Sequence, residues 1–253
     1  MKVKDIMSKP VTIDKSDRVS EALDLMDKQH VRRLIVRRNG VLMGIISLRS
    51  ICGSLGSRRK YNHPPSLFHV ADAVSNNYAV LGPEDDAQQA IEALKQVDTV
   101  VVEDGGILGA VSTSDVIRRV TPDGPVEAIM KMPQIAPPDA RVSFIRKLMM
   151  DKGISRVPIM DGATLVGIVS ETDVAAAFRG VKRRSSQNHQ DNNVERMLAF
   201  DIMRADVVTV PVGTSIRDAA KLMIDRGIGA LPVLNEQRHL VGIVTRRDIV
   251  RAI

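Results

Sequence analysis

Residues Gly167–Asp173 read Gly-Ile-Val-Ser-Glu-Thr-Asp, and the fold is decided by how often this heptapeptide returns. Its counterparts are GIISLRS at Gly44–Ser50, GAVSTSD at Gly109–Asp115 and GIVTRRD at Gly242–Asp248. The pattern is Gly, two apolar residues, Ser or Thr, two variable residues and Asp, with Ser50 replacing Asp in the first copy. One heptapeptide means little. Four, with glycines 65, 58 and 75 residues apart, mark an internal repeat of domain-like period.

Upstream of each signature the copies agree further. Each opens on a short segment: KDIMSKPVTI, ADAVSNNYAV, EAIMKMPQIA and FDIMRADVVTV. A helix follows. Val19, Ala22, Leu23 and Met26 fall at i, i+3, i+4 and i+7, as do Ala87, Ala90, Ile91 and Leu94, and Ile216, Ala219, Ala220 and Met223. That stripe buries one helix face. The third copy keeps Val142, Ile145 and Met149 but puts Arg146 at i+4. Asp17, Asp86, Asp139 and Ser215 stand where N-caps are expected.

Two short strands come next: 33–37 with 41–47, 99–102 with 107–112, 156–160 with 165–170, and 230–234 with 240–245. Turn residues such as Asn39-Gly40 and Asp161-Gly162 join them into hairpins. A second helix starts inside each signature and ends near Leu55, Val120, Phe178 and the C-terminus. The unit is β-α-β-β-α and the fold class is α+β.

A unit of that size scarcely buries an adequate core, so the repeats are expected to pair into two domains of two repeats each. The predicted boundaries are 1–56, 66–120, 125–179 and 196–253, with Thr121–Gly124 dividing the second copy from the third. Gly53–Pro65 and Gly180–Asn193 read as exposed connectors.

Composition narrows the function classes. Hydrophobic residues make up 44% of 253 and aromatics only 2%, so the core is aliphatic. No apolar run reaches the roughly 18 residues of a membrane span, and MKVKDIMSKP lacks the apolar stretch of a secretory signal. A single cysteine, Cys52, fits a reducing cytoplasm. The five histidines lack metal-ligand spacing, so no metal site is expected. A net charge of +6 favours phosphate-bearing partners.

Taken together, the repeat order, the opening D-I-M, the hairpin and the closing G-h-h-S/T-x-x-D resemble the CBS-domain family. The resemblance covers nearly all the chain outside the two connectors. It implies four CBS repeats paired into two Bateman modules, stacked as a disc that could dimerise further. Four repeats with no other domain look like the γ subunit of AMP-activated protein kinase and like stand-alone prokaryotic CBS proteins. The family implies a cytoplasmic regulator of a protein partner, binding AMP, ADP, ATP or S-adenosylmethionine in the cleft between paired repeats. No catalytic cofactor is implied.

The signature has its own physical logic. Glycine early in a strand permits close backbone approach. Hydroxyl and amide groups at a helix start suit a phosphate. An Asp can accept two hydrogen bonds from a ribose diol. The same Ser or Thr and Asp can equally cap the helix, and the two roles can coexist. The family pattern carries Asp115, Asp173 and Asp248 as ribose candidates, with Ser112, Ser170 and Thr245 at the hydroxyl position. A second family motif, roughly Ser-Arg-h-Pro-h, matches Ser155-Arg156-Val157-Pro158-Ile159 and keeps only its proline, Pro232, in the fourth copy. Copy one offers Arg32 and Arg33 without proline, and copy two places Asp98 where it would repel phosphate. Nucleotide binding is therefore expected chiefly in copies three and four.

Two other function classes compete with this one. Nucleic-acid binding is motivated by the charge and by Lys182-Arg183-Arg184, but no DNA- or RNA-binding motif is present and few aromatics could stack on bases. An enzyme is disfavoured, because no nucleophile-base pattern, P-loop or dinucleotide fingerprint occurs.

Overall fold

The computed structural model describes residues 1–55, 65–184 and 197–253. In copy one, β1 (Thr12–Asp14) leads into α2 (Val19–Lys28), then β2 (Arg33–Arg38), β3 (Val41–Ser47) and α3 (Leu48–Leu55). The chain begins with α1 (Val3–Ile6). Copy two has β4 (Tyr78–Leu81), α4 (Ala87–Gln96), β5 (Thr99–Glu103), β6 (Ile107–Val111) and α5 (Thr113–Ile117). Copy three has α6 (Val142–Asp151), β7 (Arg156–Asp161), β8 (Thr164–Ser170) and α7 (Glu171–Arg184). Copy four follows α8 (Ala199–Ile202) with β9 (Val210–Pro211), α9 (Ile216–Asp225), β10 (Ala230–Leu234), β11 (Leu240–Thr245) and α10 (Arg246–Arg251).

Three copies build a three-stranded sheet in which the first strand runs parallel to the second and the hairpin is antiparallel. In copy three a parallel bridge between Ala136 and Ile159 stands in place of the first strand. Every hairpin slips register just after the pair that includes the signature glycine: Val36 with Gly44, Val102 with Gly109, Ile159 with Gly167 and Val233 with Gly242. The four bulges repeat one local geometry, as conserved bulges do when they re-aim a strand.

The helical stripes do what their spacing requires. All four stripe residues of α2, α4 and α9, and Val142, Ile145 and Met149 of α6, are buried. Each large side chain so buried contributes about 1.5–3 kcal/mol. The caps were read less well. Asp86 accepts from the Gln88 amide at 3.0 Å and Ser215 from the Asp218 amide at 3.0 Å, as expected. Asp17 instead accepts from the Asp14 amide at 3.0 Å, and α2 begins after Arg18. Asp139 lies two residues before Arg141, which precedes α6. In both cases the chain makes a turn before the helix; the Asp17 carboxylate closes its turn, and Asp139 sits within the turn from Pro137 to Ala140. The second helix of copy three runs on to Arg184, past the expected end at Phe178 and into the predicted connector. Most of that connector, and most of Gly53–Pro65, lies outside the described residues.

The chain forms two compact units. One comprises residues 1–10, 77–133 and 208–253, the other 11–76 and 134–207. Each holds two repeat bodies, as expected, but these are copies two and four, and copies one and three. Thr121–Gly124 therefore separates repeats and lies inside a unit. In the first unit α5 and α4 pack against α10, around a core that includes Leu94, Val116, Ile249 and Val250. In the second, α3 packs against α7 around Ile51, Cys52, Val174 and Ala175.

Consecutive repeats also exchange their opening segments. Ser8, before copy one, bridges to Ala110 of copy two, while Ser75, before copy two, bridges to Ile45 of copy one. Lys131 bridges to Ile243, and Arg204 to Ile168, in the same reciprocal manner. Glycine makes the close approach possible. A Cβ at Gly109 would lie 2.6 Å from Met7 Sδ, and one at Gly167 2.5 Å from Met203 Sδ. A Cβ at Gly242 would meet Met130 in the same way, and at Gly44 it would meet Val74 and the Ser75 carbonyl.

Candidate functional site

In every signature the side chain of the last residue accepts a hydrogen bond from the Ser or Thr amide where the strand ends and the helix begins. In copy four the Thr245 hydroxyl donates to Asp248 Oδ2 at 2.6 Å and the Thr245 amide to the same oxygen at 3.0 Å. In copy three the Ser170 hydroxyl and amide donate to Asp173 Oδ2 at 2.5 and 2.8 Å. In copy two Ser112 does the same to Asp115 Oδ2 at 2.6 and 2.8 Å. Copy one keeps a weaker, uncharged version: the Ser47 amide donates to Ser50 Oγ at 2.9 Å and the Ser50 amide to Ser47 Oγ at 3.1 Å. The capping role of these residues is thus present in all four copies.

The cap uses only one carboxylate oxygen. The other, Oδ1, faces the exchanged opening segment. Asp115 Oδ1 accepts from the Ser8 hydroxyl at 2.5 Å, Asp173 Oδ1 from Arg204 Nε at 3.1 Å, and Asp248 Oδ1 pairs with Lys131 Nζ. Asp115 and Asp248 are buried and Asp173 nearly so, whereas Lys131 and Arg204 remain over half exposed. Each site is therefore a fixed carboxylate with one oxygen held by a replaceable surface group. Reading the sequence missed Ser8, Lys131 and Arg204. The signal was available: each directly follows the opening methionine, and it varies where its neighbours repeat.

Around Asp173, in the second unit, positive charge gathers. The fields of Arg33, Glu171, Arg204 and Asp173 all reach Arg32. Arg32 keeps contact with solvent, yet the protein crowded round its guanidinium, and then the charge of Arg33, lower its pKa from the ordinary value, while Glu171 and Asp173 oppose the shift. Arg49 pairs with Glu171 at 3.0 Å. Arg156 stands opposite Ser170 in the hairpin register, and its guanidinium donates to Ser155 Oγ at 2.9 Å. Pro158 and Pro232 are buried in their strands opposite Ile168 and Ile243. In the first unit, Asp98 pairs with Arg247 of copy four. The repulsion expected from Asp98 is thereby offset, because its charge is matched by a neighbour that copy two does not itself supply.

Such an assembly of four βαββα units, three capped by a Ser/Thr–Asp pair and one by Ser47–Ser50, defines a tandem-repeat protein with repeated polar sites. The CBS-domain model matches residues 3–57, 70–122, 126–180 and 199–253, and the chain belongs to the CBS-domain family. Its reciprocal exchange of opening segments ties copies one and two, and copies three and four, into Bateman modules.

Among relatives, the uncharacterized protein MJ1225 of Methanocaldococcus jannaschii is 27% identical over 271 aligned positions, covering 96% of this chain and 95% of that one. The crystal structure of MJ1225, presented as a candidate archaeal homologue of g-AMPK, superposes with a TM-score of 0.86 at 25% identity, covering 100% of this chain and 99% of that chain. The uncharacterized protein MJ1404 of the same organism is 28% identical, covering 99% of this chain but 61% of that protein. Among the described residues no helix is long and apolar enough to cross a membrane.

Proposed function

We propose that the chain is a regulatory, non-catalytic sensor of adenine nucleotides, binding them chiefly through copies three and four. One observation carries the reading: the Asp173 carboxylate is fixed in a helix cap, paired with the guanidinium of Arg204, and its field reaches that of Arg32. A nucleotide needs that pairing of chemistries, an acceptor for the ribose diol and cations for the phosphate. Asp248, capped with Thr245 and with Oδ1 paired to Lys131, supplies a second fixed ribose acceptor. Ser155, Arg156, Pro158 and Pro232 are proposed to line these sites, and Asp115 with Ser112 to form a third. The likeness to MJ1225, with its suggested kinship to g-AMPK, supports the same reading.

The geometry also suggests how binding is sensed. A ribose that takes Asp248 Oδ1 displaces Lys131, and one that takes Asp173 Oδ1 displaces Arg204. Either event removes one side-chain hold on an exchanged opening segment and so shifts the balance of its docking. A thermal-shift panel of AMP, ADP, ATP, S-adenosylmethionine and duplex DNA tests the proposal. A ligand of the native state raises the melting temperature, and the adenine nucleotides are expected to do so. A shift with DNA alone would contradict the reading.

A further inference from the structure

A concave feature lies wholly within the first unit, at the end of α5 opposite its signature cap. Residues 117–121, at the end of α5, line a groove of about 500 Å3 together with Arg217, Ala220, Lys221, Ile224 and Asp225 of α9. Small-ligand sites span roughly 300–1,000 Å3. Ile117 and Ala220 are buried, Val120 and Ile224 half-buried, and Arg118, Arg119, Arg217 and Lys221 exposed. The groove thus has an apolar floor and a predominantly basic rim, four cations against the one exposed carboxylate of Asp225. Arg217 is tied to Asp123 at 3.0 Å, but no described carboxylate pairs with Arg118, Arg119 or Lys221.

Internal repetition shows that the fold does not require these cations. Where copy four has Arg217 and Lys221, the other copies have Ser20 and Asp24, Gln88 and Glu92, and Ser143 and Lys147. Where copy two has Arg118 and Arg119, the others have Gly53 and Ser54, Ala176 and Ala177, and Arg251 and Ala252. Arg217 and Lys221 sit at i and i+4, a spacing at which like charges repel. Arg118 and Arg119 follow the last residue of α5, where they favour its carbonyl end, but the corresponding helices of copies one and three do without them. A bound anion would turn this mutual repulsion into attraction.

From this arrangement we infer that the groove is a second ligand site, taking a small compound with at least two phosphate groups. Guanidinium groups match phosphate oxygens bidentately, and the apolar floor suits the remainder of such a ligand. An extended nucleic acid fits less well, because among its lining residues the groove has no aromatic side chain to stack on a base. The site is independent of the nucleotide sites proposed above and stands if they fail.

Inorganic pyrophosphate is the probe, titrated calorimetrically at low salt into the full chain, into an Arg118→Gln/Lys221→Gln variant and into Arg204→Gln. These groove residues are exposed, so the variant is expected to melt like the parent. The groove variant should lose one class of pyrophosphate sites, weakened at least ten-fold, while Arg204→Gln retains that class within two-fold. No binding by the parent, or identical binding by parent and groove variant, overturns the inference. So does a parent that binds a single-stranded RNA 12-mer through these residues but takes no pyrophosphate.

Discussion

Lys131 and Asp248 set the terms at the scale of single residues. The pair joins a half-exposed cation to a buried carboxylate, and the proposed ribose must break it. Replacing Lys131 by Met removes that competition. AMP affinity should then rise by about 0.2–1 kcal/mol, the worth of a partly exposed ion pair. Competition binding with a fluorescent AMP analogue measures this, and a fall in affinity would mean that Lys131 holds ligand instead of excluding it. Cys52 shows the opposite situation, a group sealed off from chemistry. Burial, with help from the Glu171 carboxylate, pushes its thiol up to about 12. Thiolate is the reactive form, so iodoacetamide at pH 8 should leave the native protein unmodified and label it only in denaturant. Rapid native labelling would contradict the packing of α3 against α7.

Secondary-structure elements were largely legible in the sequence, because helix stripes and hairpin turns are written in local spacing. The four hairpins fall within a residue or two of expectation. What spacing could not reveal is which repeat an opening segment serves. Met7 reads the same whether it packs on Gly44 or, as it does, on Gly109. For the same reason the reading of signature Ser/Thr and Asp residues as caps and ribose acceptors named no protein partner for Oδ1, since that partner arrives from a neighbouring repeat. The exchange makes Gly44 the least replaceable of the signature glycines. Its φ is +140°, and a Cβ would lie 2.9 Å from the Ser75 carbonyl, backbone that cannot swing aside. Gly44→Ala should destabilise by about 1–3 kcal/mol, and Gly40→Ala by less, because only its positive φ is violated. Chemical denaturation of the two variants compares them directly. The first exchanged segment is also tethered electrostatically, through Lys2 and Lys4 to Glu84. Hydrogen bonds from both lysines hold Glu84 down from 4.5 to about 2. A lowered carboxylate contributes above its unfolded value and loses that contribution as pH falls through its folded one. The tether should therefore be intact above pH 4.5 and be lost toward pH 2, with salt weakening it throughout. Amide exchange of residues 3–7 against pH reports the outcome.

At the scale of the whole molecule, each compact unit draws on both halves of the chain. Val116 and Ile117 of copy two are buried in the cluster that also contains Ile249 and Val250 of copy four. A fragment of residues 1–122 should consequently expose that surface and self-associate on size exclusion, and a well-behaved monomer would argue that the first Bateman module is self-sufficient. The same architecture repeats one capped carboxylate three times, at Asp115, Asp173 and Asp248, and leaves Ser50 in the fourth place. The regulatory reading rests on those carboxylates serving a ligand as well as a helix. Titration calorimetry of AMP into the parent, Asp173→Ala and Asp248→Ala tests this most directly. Loss of a charged hydrogen-bonding partner should weaken binding by about 1–3 kcal/mol in each variant; affinity unchanged in both would show that the carboxylates are caps and nothing more.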